Sequence, residues 1–419
     1  MPAGTLQTWI KRHLSVRQRL ERICTSYLLF LMVVTTKHSL EEAARFSSVH
    51  KSLFSRMLQA HSKVAITTLE RLSKTQARRF AKTLARLNGL PWKIVIIIDS
   101  TLQHRASLYP ENAKTFNHGK GYVIGHQWTN IVLVLGDMLI PLRPIPFYSK
   151  RYCQTHALKY QSEHERVVDY LRMLDLENYL GSYDRREVLV LADSGYDDKK
   201  IEHAIVDKGW NFIIALGTTR SVKSEALHLT TPPSRQWCHI DTFFRRHRRL
   251  KWNTMRLTTH GNKRKRMDFR VRHTAGYLRY VGKVELVCSE RRNRPDGRRK
   301  YLACNDLRAT ARQIVMGYQL RWAVELFHKS VKQNLGFEDV ATHGFDAVMS
   351  HIHWMYCAYI LLHLSPPGLS PGSQSIGDKQ RALQQGLADT EKRHILQKLT
   401  QIGGVQRYKD ELRQALAGA

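Results

Sequence analysis

Apolar and polar positions follow three rhythms along this chain. Through the first ninety residues, apolar positions recur at helical spacing. Ser39 with Glu42 three positions on has the form of a helix cap; a short helix from there breaks at Ser47-Ser48, and a second runs from about His50 to Gln59. Ala44, Val49, Leu53 and Leu58 are the expected contacts between the two, a helix-turn-helix spacing over 39–60. From Pro91 the rhythm is that of buried strands. Lys93–Asp99 is a continuous apolar run ending in an acid, and the runs Gly121–Leu135 and Met138–Pro144 meet at Gly136-Asp137 in hairpin fashion. Ser162-Glu-His-Glu165 has capping-box form and starts a helix to about Leu174. Then come a second buried strand ending in an acid (Glu187–Asp193), a helix over Lys199–Lys208 and a strand over Trp210–Leu216. Residues 217–308 alternate in strand fashion, as in Asp268–His273 and Gly282–Cys288. Helical spacing returns at Tyr318–Lys332, and a Pro/Gly/Ser stretch after His363 leads to a polar helical tail.

Order and acids together suggest an architecture. Three strands, then helix, strand, helix, strand is the sequence of a ribonuclease-H-like sheet, in which the first and fourth strands are neighbours. Asp99 and Asp193 would then emerge side by side. Read as one helix, Tyr318–Lys332 places Tyr318, Arg321, Glu325 and Lys332 within about 60° of arc. Leu320, Ala323, Val324, Phe327, Val331 and Leu335 fall opposite, as a stripe for the core. The expected division is a helical domain over 1–90, an α/β core over 91–216 plus 309–363, a β-rich insertion over 217–308, and a linker with tail over 364–419.

Charge adds a partner. The 419 residues carry 67 Lys and Arg against 35 Asp and Glu, a net charge of +32. The excess is segregated: residues 1–90 hold 16 basic and 4 acidic side chains, and residues 243–300 hold 20 and 4. Arg/Lys clusters stand at 245–251, 263–266 and 291–300. Such segments suit a polyanion, because each neutralised phosphate releases condensed counterions. Lys51, Ser52, Ser55 and Arg56 on the second N-terminal helix would face a DNA groove. The apolar run Tyr27–Val34 is too short to span a bilayer and has no cleavage pattern, so a cytosolic protein is expected. The six cysteines show no paired zinc spacing, and His351-x-His353 has no cysteine or carboxylate at a convincing ligand interval.

Three converging carboxylates, Asp99, Asp193 and Glu325, would repel one another and raise at least one pKa. Two Mg²⁺ ions about 4 Å apart would relieve that repulsion and create a phosphoryl-transfer centre. Arg321 and Lys332 suit contacts to phosphates.

With these residues in view, the chain resembles the cut-and-paste DDE transposases of bacterial insertion sequences, in the group with a Tyr-Arg-Glu-Lys signature. Tyr318, Arg321, Glu325 and Lys332 match every interval of that signature, and Ile98-Asp-Ser-Thr matches the first-acid region. Leu191-Ala-Asp-Ser-Gly-Tyr196 matches the second only loosely, its aromatic standing directly after Gly195. The likeness covers roughly residues 91–362. It implies a ribonuclease-H-like nuclease and strand transferase with a β-rich insertion before the last acid. Asp99, Asp193 and Glu325 would bind two Mg²⁺ ions, with Mn²⁺ able to substitute. It further implies binding of double-stranded DNA at inverted-repeat ends and at a target, a dimeric synaptic complex, and work at the bacterial nucleoid. A hairpin intermediate, frequent in this group, needs an aromatic platform for an extruded base. Trp322 is the candidate, with a partly buried core Trp as the other reading, and Lys329 is a candidate backbone-phosphate contact. Two other functions remain open: an inactive derivative acting as a DNA-binding factor, and a host nuclease of the same fold.

Overall fold

The helix starts are set by local capping. In the computed structural model, residues 3–14, 16–82, 84, 89–117, 121–225, 236–247, 250–258, 266–292, 299–339, 342–369, 375–402 and 404–417 are described. The cluster residues 248–249, 263–265 and 293–298, and residues 370–374 of the expected linker, lie outside them. The chain forms two compact units, Met1–Leu72 with Ser330–Ala419, and Ser73–Lys329.

In the first unit, α1 (Ala3–Arg12) and α2 (Gln18–Val33) precede α3 (Leu40–Ser47), α4 (Lys51–Ala60) and α5 (Ser62–Ala81), the last crossing the division. The Ser39 hydroxyl accepts from the Glu42 N–H at 3.2 Å, and Ser48 takes a left-handed conformation (φ 54°) that ends α3. The helix pair is therefore where the sequence places it, but its inner face is turned. Ala43, Phe54, Met57 and Leu58 are buried beside Val49, whereas Leu53 is exposed and Ala44 only half-buried. Phe54 carries more apolar surface than its neighbour Leu53, and one residue along a helix rotates the face by about 100°.

The second unit is built on one mixed sheet of 13 strands among the described residues. The first five are β1 (Ile94–His104), β2 (Lys114–Asn117), β3 (Tyr122–Leu135), β4 (Met138–Pro141) and β5 (Ile145–Pro146). Helices α6 (Lys150–Thr155), α7 (Glu163–Met173) and α8 (Glu177–Leu180) lead to β6 (Val188–Ala192), α9 (Lys199–Asp207) and β7 (Asn211–Leu216). Next come β8 (Ser221–Ser224), β9 (Cys238–His239), α10 (Ile240–Arg246), β10 (Asn253–Thr258), β11 (Arg266–Leu278), β12 (Gly282–Arg291) and β13 (Lys300–Cys304). The hydrogen-bonded order is β2-β3-β1-β6-β7-β13-β12-β11-β8-β9, with β4 and β5 on β3 and β10 on β11. The run β4-β3-β1-β6-β7 is consistent with a ribonuclease-H-like core, and the expected Gly136-Asp137 hairpin joins β3 to β4 with Leu135 opposite Met138. The strands of residues 217–308 continue that sheet, β13 pairing antiparallel with β7.

Two boundaries differ from the sequence reading. The first strand does not stop at Asp99. It continues to His104, because its antiparallel ladder with β3 runs on to the pair His104–Gly125. Its polar-looking second half is buried all the same: Thr101 and Gln103 are nearly inaccessible, and Gln103 accepts from the Trp128 indole at 3.3 Å. Nor is Tyr318–Lys332 one helix. Helix α11 (Ala311–Gln319) ends and α12 (Trp322–Asn334) begins across a turn at Leu320-Arg321. Bonds of the i→i−3 type at Leu320, Arg321, Ala323 and Val324 tighten the chain there.

The chain closes in the first unit with α13 (Phe345–His363), α14 (Ile376–Ile402) and α15 (Val405–Ala417). The tail is held at its start. Ile376 and Leu383 are buried, and the buried Gln380 amide donates to the carbonyls of Leu31, Val34 and Asn334 at 3.0, 3.3 and 2.8 Å. No helix among the described residues is long and apolar enough to cross a membrane.

A Cβ placed on Gly125 would stand 1.9 Å from the Gln103 carbonyl oxygen, a backbone atom that cannot swing aside. Gly125→Ala is expected to lower stability by about 2 kcal/mol through overpacking, despite the usual gain from replacing a strand glycine. Equilibrium urea unfolding measures it, and an unchanged midpoint would refute the tight β1–β3 approach.

Candidate active site

Strand pairing places the first two acids. β1 and β6 run parallel with Ile98 opposite Ala192, so the next residue of each chain, Asp99 and Asp193, leaves the pair at the same level. Asp99 stays within β1, opposite Asn130 of β3, and is buried. Asp193 lies just past β6. Its Oδ1 accepts the Gly195 N–H at 2.8 Å, capping a single 3₁₀ turn over Ser194–Tyr196.

Glu325 comes from the first turn of α12. Arg321, in the turn before it, reaches both acids: Nη2 lies 3.0 Å from Glu325 Oε1 and Nη1 lies 3.3 Å from Asp99 Oδ2. The break between α11 and α12 puts this guanidinium between two carboxylates rather than in a row beside them. A fourth group joins them. His328 is buried, its Nδ1 is 3.9 Å from Asp99 Oδ2, and its Nε2 is 2.8 Å from the Asn130 amide nitrogen. Asp99, Glu325 and His328 each offer one ligand atom, all within 4.8 Å of one another. Asp193 is outside that group of atoms, though its charge acts on Asp99.

The electrostatics follow. Burial pushes the Asp99 carboxyl up to about 7; Arg321 opposes this, and the negative charges of Glu325 and Asp193 add to it. One guanidinium does not offset the desolvation and the added negative charge. A buried carboxylate, a half-buried one and an imidazole within one coordination radius fit a divalent metal.

Tyr318 sits in the last turn of α11, buried, its phenol pushed up to about 12 chiefly by burial. Above its ring is Lys300, the first residue of β13, with Nζ 4.9 Å from the ring centre. Desolvation there, with the Arg321 guanidinium beside it, holds the Lys300 ammonium below its ordinary range. Trp322 is 56% exposed, which removes the core reading of its indole. Lys329 is exposed on α12. Lys332 belongs to the first unit, its ammonium 3.8 Å from Glu338 and against the Phe337 ring. On α4, Lys51 and Arg56 are exposed, while the half-buried Ser52 has its hydroxyl 2.8 Å from His50 Nδ1.

A family model described as the transposase DDE domain matches residues 91–361, well over half the chain. The chain belongs to that family. No curated protein matches it. The family implies use of a divalent metal by this DDE transposase, and Asp99, Glu325 and His328 are a group that could hold one. Sequence reading did not single out His328 or Lys300 for this transposase. The first carries a recoverable signal, since Glu325-x-x-His328 spacing puts both side chains on one helical face. The second has none, because a lysine opening a strand in a basic segment looks like its neighbours.

The Asp99 shift has a direct consequence for stability. Its folded value of about 7 lies above the ordinary 3.8. Between those values the folded state holds a proton that the unfolded chain has released. The stabilisation is therefore complete below about pH 4 and is lost as pH rises through 7, with a slope of up to about 1.4 kcal/mol per unit. In metal-free buffer Asp99→Asn is expected to remove this slope relative to the unsubstituted transposase. Urea unfolding from pH 4 to 8 measures it, and parallel curves for the two proteins would refute the burial argument.

Proposed function

We propose that this transposase binds the inverted-repeat ends of a mobile element, cuts them with two divalent ions, and joins the freed 3′-hydroxyls to target DNA. One observation carries the reading: a buried carboxyl of raised pKa, Asp99, with Glu325 and Asp193 as negative neighbours and one guanidinium among them. When bound, Mg²⁺ or Mn²⁺ would acidify the attacking water or hydroxyl and offset charge on the leaving oxygen.

The chain's own residues do the rest. Asp99, Asp193 and Glu325 hold the ions, with His328 orienting Asp99. Arg321, which spans two acids in the free protein, turns its planar fork to the scissile phosphate. Tyr318 and Lys300 flank that phosphate, Lys329 takes a neighbouring one, and Lys332 is a DNA-phosphate contact of the first unit. Trp322 projects far enough to stack on an extruded base in a hairpin intermediate. Helices α3 and α4 form the DNA-binding helix-turn-helix, with Lys51, Ser52 and Arg56 toward the groove, and the basic strands of 217–308 track the backbone. Two copies pair the ends in a synaptic complex at the bacterial nucleoid.

Asp99→Asn, Asp193→Asn and Glu325→Gln are each expected to lower Mg²⁺-dependent cleavage of end DNA by on the order of a thousandfold, the loss of several kcal/mol of transition-state stabilisation. Binding of the same DNA should persist in a gel-shift assay. Near-normal cleavage by one variant would take that acid out of the site. Lys51→Ala and Arg56→Ala are expected to weaken binding evenly across sequences and to reduce the salt slope by about one each. An unchanged slope would exclude α4 from the phosphate contacts.

A further inference from the structure

Asp193 stands where the sheet no longer holds the backbone, one residue past the last β6 pair, so another element must fix its carboxylate. Its own Oδ1 is tied to the Gly195 N–H, which makes the position of the carboxylate that of the turn Ser194–Tyr196. That turn is gripped from one side by the first turn of α7. His164 Nε2 lies 2.8 Å from the Gly195 carbonyl oxygen, and its Nδ1 lies 3.0 Å from Asp198 Oδ2. Both partners are acceptors, so the ring donates from both nitrogens when the two bonds coexist. The Tyr196 hydroxyl, on a side chain 3% exposed, donates to Glu163 Oε1 at 2.7 Å.

Glu163 carries the connection back to the sheet. Its Oε1 also accepts from Thr129 Oγ1, and its Oε2 accepts from Gln127 Nε2, both at 2.7 Å. Three donors on one carboxylate at this distance are short, charge-assisted bonds. Thr129 is paired with Ser100, the residue after Asp99. A closed path therefore runs from Asp99 through the β1–β3 ladder to Thr129, Glu163, Tyr196 and Asp193. Helix α7 is a firm anchor for it, with the Ser162–Glu165 capping box formed and Val167, Val168 and Leu171 buried.

We propose that Glu163 and His164 are positioning residues that clamp the Ser194–Tyr196 turn and thereby set the spacing of Asp193 from Asp99. This rests on the reading of Asp193 as a metal-binding acid. A clamp and a plain structural network differ in what they move: a clamp governs ion affinity in a protein that is still folded and still binds DNA.

Calorimetric titration of the full chain with MnCl₂ tests it, with thermal unfolding and end-DNA binding measured in parallel. Tyr196→Phe keeps the buried ring and removes one bond; His164→Ala removes two at a half-exposed site. Each is expected to raise the Mn²⁺ dissociation constant about tenfold, with cooperative unfolding and DNA binding retained. Adding Glu163→Gln to Tyr196→Phe should cost less than the two effects summed, because they share a bond. Asp193→Asn serves as the reference and should lose Mn²⁺ binding. If it binds Mn²⁺ normally, the metal role of Asp193 fails and the clamp with it. If it loses binding while Tyr196→Phe and His164→Ala titrate like the unsubstituted protein, the clamp alone is overturned. Weakened Mn²⁺ binding that follows a loss of cooperative unfolding or of DNA binding in both variants also overturns it.

Discussion

The active site depends on a parallel pairing five residues long. Ile94–Ile98 lies against Val188–Ala192, both strands apolar throughout because helices and loops cover both faces, and that pairing leaves no freedom of register. Asp99 and Asp193 meet because each follows the last paired residue. Burial is the main reason that the Asp99 carboxyl is pushed up to about 7, and the negative charges of Glu325 and Asp193 add to it. The sheet imposes the burial, and Arg321 opposes its effect without cancelling it. Asp99, Glu325 and His328 stand together there as a group that could hold a divalent ion.

The break at Leu320-Arg321 matters for the same reason. A continuous helix would have spaced Tyr318, Arg321 and Glu325 along one line of solvent-facing side chains. With the chain tightened there, Tyr318 is buried on one helix, Glu325 begins another, and Arg321 is drawn between the acids.

Much of this was legible from the sequence, and the misses have physical causes. Apolar runs located β1, β6 and β7, the Gly136-Asp137 dipeptide located a hairpin, and Ser162 with Glu165 located a helix start. The far half of β1 was not legible, since Thr101 and Gln103 are polar residues buried by neighbours distant in sequence. The helix break was not either: neither glycine nor proline stands at 320–321, and the tightening comes from backbone bonds that leave no compositional trace. Leu53 and Phe54 are equally apolar in text, and only packing decides which points inward. His164 was legible as part of a cap and nothing more, because its partners at 195 and 198 are some thirty residues away.

The strands of the basic segment share the sheet of the acids, with β11, β12 and β13 joined in series to β7 and β6. Each of these neighbours is joined by a backbone hydrogen-bonded ladder, so the segment is continuous with the core and not a flap beside it. The basic segment is therefore no separate module: its strands extend the same sheet in which Ala192, the residue before Asp193, closes β6.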